Sequence, residues 1–193
     1  MKTNSMLFLI IASITLMVSC GKKISHEEKV KYYVTVVKEL GEATIAVNEF
    51  WYETMNGMET AQRNADKKLD SATVVKLDQM FTLSTEALIT AIDNLLKLAE
   101  VDEDINLKEK VLAYLNDTKK LQEASLPIII RGLADGLDSM ADQDRGTFVE
   151  FQSKGRELQK NSEDLEKLAR TFLDKHNITK EDVVKEGLTQ ASD

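Results

Sequence analysis

Cys20, His26 and His176 are the sole thiol and the two imidazoles of this chain, and they bound the chemistry it can carry. A helical di-iron centre needs a glutamate three residues before each of two histidines, with two further inward glutamates. Lys23 and Leu173 occupy those positions, so that centre is excluded. Covalent haem attachment through Cys-x-x-Cys-His is ruled out by a single cysteine. No Gly-x-Ser-x-Gly, P-loop, dinucleotide fingerprint or His-Glu-x-x-His is present either. Acidic residues run together at Asp102-Glu103-Asp104 and Glu163-Asp164, where they read as caps and solvated charge. His176 extends an apolar stripe and reads as a C-terminal histidine favoured by the helix dipole. His26 reads as solvated in a first turn. No catalytic residue, metal or cofactor is expected, and the chain reads as a non-enzyme. With 33 acidic against 25 basic residues and a net charge of −8, nucleic acid is an unsuitable partner.

The surroundings of Cys20 carry more information than its thiol. Met1 and Lys2 make a basic start, Met6 to Val18 is a nearly unbroken apolar run, and Ser19 is a small exit residue. That order describes a secretory signal. The run, about thirteen residues, falls short of the roughly 20 that span a bilayer core. An unpaired thiol in an oxidising compartment would call for an explanation. Lipidation supplies one. Leu16-Met17-Val18-Ser19-Cys20 resembles the lipobox of bacterial lipoproteins, with Met17 where leucine is commoner. The resemblance covers residues 1–23 and specifies processing, not activity. It implies cleavage before Cys20, a thioether-linked diacylglycerol on its sulfur and an N-acyl chain. Several acyl chains hold a protein far more firmly than one, so the bilayer is the first partner expected, through acylated Cys20. Gly21 is not the aspartate that retains lipoproteins on the inner membrane, and Lys22 and Lys23 lack the acidic run of surface-exported ones. The expected address is the outer membrane, facing the periplasm. Residues 1–19 are then a cleaved signal peptide and 20–24 the lipidated cysteine and tether.

Behind the tether, four stripes alternate steps of three and four. The first starts from a Ser25/Glu28 capping box and runs Tyr33, Val37, Leu40, Thr44, Val47, Trp51, Thr54, Met58. A second begins near Asp70 with Leu77, Phe81, Ser84, Leu88, Ala91, Leu95, Leu98. The third begins near Asp104 with Leu107, Val111, Tyr114, Thr118, Leu121, Ser125, Ile128, Gly132. The fourth begins near Asp144 with Phe148, Phe151, Gly155, Leu158, Ser162, Leu165, Ala169, Phe172. A seven-residue repeat is the seam of a coiled-coil-like bundle. Polar breaks at 62–69, 100–104 and 141–146 are short, which makes consecutive helices antiparallel neighbours. The predicted fold is all-α: an up-down-up-down four-helix bundle over 25–176, its third helix kinked at Pro127. Residues 177–193 hold a short helix capped by Thr179, then a disordered tail.

Two surfaces stand out. Phe50-Trp51-Tyr52 reads as Trp51 filling the core with its neighbours on the flanks, or else as a patch with Trp51 and Tyr52 at a groove. Pro127-Ile128-Ile129-Ile130, with Gly132 and Gly136, places more apolar surface together than one seam can absorb. It reads as a partner or ligand groove, or as a kinked helix covered through Val183, Val184 and Leu188. The functional expectation is a membrane-anchored envelope lipoprotein acting as a non-enzymatic binding or structural module with an envelope protein partner. The alternative is a carrier of an apolar small molecule in a cleft near residues 127–136.

Overall fold

The computed structural model describes residues 24–187. The expected signal segment, Cys20, Leu188 and the expected disordered tail all lie outside the described residues. Ser25 Oγ accepts from the Glu28 amide at 3.1 Å, while the Glu28 carboxylate accepts from the Ser25 amide at 2.8 Å. This reciprocal cap starts α1, His26–Arg63. Asp70 accepts from the Thr73 amide at 2.9 Å and starts α2, Ser71–Leu96. Helix α3, Leu107–Asp135, begins later than Asp104 because the preceding residues form a turn. In that turn the Asp102 side chain accepts from the Asp104 and Ile105 amides, both at 3.1 Å. A 3₁₀ turn, Leu137–Ser139, leads to α4, Asp142–His176. A Thr179/Asp182 capping box starts the short α5, Lys180–Lys185.

Side-chain pairs fix the directions. Lys76 meets Glu53 at 2.6 Å and Asn94 meets Glu39 at 3.2 Å, so α1 and α2 run antiparallel. Gln122 bonds Ser84 while Lys108 reaches the Leu98 carbonyl, which sets α2 against α3. Arg131 pairs with Asp144 at one pole and Lys175 with Asp102 at the other, which sets α3 against α4. The result is a four-helix bundle. No strand occurs among the described residues, and none of their helices is long and apolar enough to cross a membrane.

The interior has two apolar clusters. One lies at the α1 N-terminal pole around Val36, Leu88, Leu115 and Phe172; the other gathers Phe50, Leu77, Leu126, Ile129 and Leu133. Between them Gln122, wholly buried, donates to Ser84 Oγ and Thr85 Oγ1, each at 2.8 Å. Trp51 and Tyr114 touch both clusters at this waist. Helix α3 supplies residues to both and continues through Pro127, so proline does not split it. Pro127 faces solvent while Leu126, Ile129 and Ile130 are buried, and packing on that side outweighs the missing backbone bond.

At the far pole the α1–α2 loop is stitched to the end of α3. The Leu69 amide donates to the Leu133 carbonyl at 2.8 Å, and the Leu137 amide to Lys67 at 2.9 Å. Gly136, at φ +108°, makes this possible: a Cβ there would come within 3.2 Å of the Asp66 carbonyl. Helix α5 sits at the opposite pole, where His26 and Asp182 approach to 3.4 Å and Val183 packs on the first cluster. Val183 therefore does not cover the isoleucines, as the sequence reading allowed, because they belong to the second cluster.

Candidate functional site

Two places concentrate polar chemistry. The first closes the pole where α5 docks. Asp102, its side chain 5 % exposed, accepts from His176 Nε2 at 2.8 Å and pairs with Lys175 Nζ at 2.7 Å. Burial opposes the Asp102 charge, but bonds from Lys175, the Ile105 amide and His176 outweigh it and hold its pKa at about 2. Lys175 is raised in turn by its bonds to Asp102 and Asp104. Beside this group, Tyr32 donates to Glu100 and accepts from the Lys108 amide at 3.0 Å. Burial, then the Glu100 bond, push the Tyr32 hydroxyl far up. Glu103 and Asp104 are exposed and His176 ends α4, as the sequence suggested, but Asp102 is buried and bonded to His176, which corrects its reading as solvated charge. Asp102 is a buried hub joining the α2–α3 loop to α4. The Asp102 carboxylate is fully partnered by Lys175, His176 and the turn amides, so the cluster is a clasp, with Glu100 Oε2 its one buried atom lacking a partner among the described residues. No group of three or more His, Cys, Asp or Glu placed to hold a metal occurs among the described residues.

The second place is a groove of about 750 Å³ between α1 and α4, floored by Tyr114 of α3. Its origin is the seating of α4. That helix buries only Phe151, Leu158, Leu165 and Phe172, one ridge residue every seven, and leaves channels along both sides. It also reflects a rotation of α1. Tyr33, Val47, Thr54 and Met58 of the predicted stripe are buried, but so are Val36, Ala43, Phe50 and Gly57, one position before Val37, Thr44, Trp51 and Met58. Small Ala43 and Gly57 let α1 close on α2 and α3 along this line, leaving Val37, Thr44 and Trp51 half-buried toward α4. Phe50, not Trp51, fills the core. The Trp51 indole stands edge-on to Phe151 at 5.1 Å, and Tyr52 is 67 % exposed at the rim.

Thr44, Asn48, Gln152, Gln159 and Ser162 supply hydroxyls and amides along the walls, and Arg156 one cation. No carboxylate lines this groove. The channel on the other flank of α4, about 450 Å³, carries Asp117, Lys120, Glu150, Lys154 and Glu157 instead. Four buried polar atoms lack a hydrogen-bond partner among the described residues, and two belong to the neutral groove: Trp51 Nε1 and Thr44 Oγ1. Burial raises the Tyr114 hydroxyl on the floor, against the pull of the Thr118, Thr44 and Ser162 hydroxyls around it. Thr44 Oγ1 lies near this group but outside hydrogen-bonding geometry.

The segment singled out at 127–136 is taken up differently. Pro127 is exposed, Ile128 half-buried, and Ile129 and Ile130 are buried in the second cluster. Met140 fills the space at Gly132, its sulfur standing where a Cβ would clash. Gly136 serves the turn. Ile129 borders a pocket of about 230 Å³ shared with Met58, Leu137, Met140 and Phe148. Asn48, Gln152, Arg156 and Gln159 escaped the sequence reading. The available signal was a set of side-chain amides, with one arginine, on two otherwise heavily charged helices. No family model matches the chain, and neither a curated protein nor a solved structure matches it.

Proposed function

We propose that this chain is a lipid-anchored envelope protein that works by binding, with the α1–α4 groove as its binding surface. The observation that carries the reading is the groove itself: a carboxylate-free, aromatic-floored trough with a buried, unpartnered indole N–H. The lipobox-like segment ending at Cys20 supports the anchor and the periplasm-facing outer-membrane address. An envelope partner presented at the membrane surface then meets the groove on a fixed body.

The pocket bordered by Ile129 favours a second reading, an apolar small-molecule carrier at the 127–136 end. Its volume of about 230 Å³ falls below the roughly 300–1,000 Å³ of ordinary ligand sites, so the wider groove is preferred.

Mass spectrometry of the protein extracted from native membranes tests the anchor, beside a Cys20→Ala control. The expected mass begins at Cys20 and carries acyl chains that the control lacks. An unacylated wild-type chain would remove the anchor from this proposal.

A further inference from the structure

We infer that the α1–α4 groove binds an oligosaccharide chain whose sugars carry N-acetyl or carboxylate groups. The inference rests on the binding reading above and gives it a ligand class.

The lining chemistry decides between occupants. A sugar ring has an apolar C–H face and a rim of hydroxyls that both donate and accept. Trp51, Tyr52 and Tyr114 offer ring surface for the first. Asn48, Gln152 and Gln159 offer amides, which likewise donate and accept, for the second. An alkyl chain would instead strip water from those amides and return no hydrogen bond. A docked amphipathic helix needs an unbroken apolar stripe along its path, and here Trp51, Tyr52, Met55 and Leu158 are interrupted by Asn48, Gln152, Arg156 and Gln159.

Charge points the same way. In a molecule of net charge −8, the groove walls hold no acid and one exposed arginine. Arg156 forms no ion pair with another described residue, so its fork is free for a carboxylate. An N-acetyl group supplies both an acceptor and a donor for the exposed amides of the walls. Shape agrees as well. From Thr44 to Met55 the trough follows α1 for about 16 Å, open along its length to a linear chain.

The chain has one tryptophan, so its fluorescence reports the groove directly. The full chain is titrated with chitotetraose, tetragalacturonate, dodecanoate and an amphipathic helical peptide. The expected result is a saturable change in Trp51 emission with at least one sugar. Asn48→Ala combined with Gln159→Ala weakens that binding at least tenfold, with the thermal transition unchanged. Arg156→Gln weakens tetragalacturonate at least fivefold more than chitotetraose. Response to dodecanoate or the peptide with neither sugar binding overturns the glycan inference and leaves the groove a binding site. Silence toward all four overturns the glycan inference and the groove's binding role together, whatever the mass measurement shows for Cys20.

Discussion

Asp102 ties the α2–α3 loop to the end of α4 through one carboxylate, and the tie is pH-dependent in a defined direction. Its folded pKa of about 2 lies below the usual 3.8, so the folded state favours the ionised form. The stability it contributes is complete above about pH 4 and is lost as pH falls toward 2. Asp102→Asn keeps the turn's shape but removes the charge from Lys175 and His176. It should lower stability by about 3 kcal/mol at neutral pH and flatten the acid limb of the unfolding curve. Urea unfolding of both proteins from neutral pH down to about 2 checks this. The inward turn of Asp102 was illegible in the sequence, because three successive carboxylate-bearing residues give no local sign of which one is buried. The choice depends on Lys175 and His176, which lie far away in the chain. Phe50 and Trp51 make the same point for apolar residues: either fits a seven-residue stripe, and a small rotation of α1 decides which goes inside.

At the scale of the helices, α3 and α4 are opposites. Helix α3 buries residues on most of its circumference, so a proline in it survives. Because Pro127 is on the solvent side, Pro127→Ala restores the hydrogen bond to the Glu123 carbonyl without disturbing the core. Stability should rise by about 2 kcal/mol, read as a higher midpoint in thermal unfolding. Helix α4 rests on four ridge residues, and the grooves on either side follow from that economy. Backbone amides of α4 should exchange with deuterium well before those of α3; equal protection of the two would refute this picture of α4. Gly155 adds a second mark. A Cβ there would meet Trp51 at 3.8 Å, ordinary contact, so Gly155→Ala should stabilise by about 0.5–1 kcal/mol in the same thermal assay. Boundaries marked by capping side chains, at Ser25, Asp70 and Thr179, were legible because a cap is local. The starts of α3 and α4 have no side-chain cap bond and fell a few residues from their expected places.

For the molecule as a whole, the bundle was legible because four seven-residue stripes joined by short polar breaks leave few other solutions. Its division into two apolar clusters was visible only as Ser84 and Thr118 within those stripes. Gln122, the residue that makes the waist polar, lies outside all of them. Its Oε1 is buried and unpartnered. Gln122→Met conserves the volume and removes that orphan, so it should raise stability by about 1 kcal/mol in chemical denaturation. A fall of similar size would mean that the bonds to Ser84 and Thr85 outweigh the orphaned oxygen.

The pole shared by Ser25 and α5 has a consequence in reach. Helix α1 is the longest element, and its 38 residues carry the chain about 57 Å from that pole. Trp51 stands about 38 Å along it. With a lipid at Cys20, a few residues before the helix, the bundle becomes a spacer. It would hold the α1–α4 trough well clear of the headgroups, and the stitched Gly136 turn would be its outermost tip. Shortening α1 and α4 together by matched heptads would then lower the trough toward the membrane in steps of about 10 Å, a ruler for how far away its ligand is anchored.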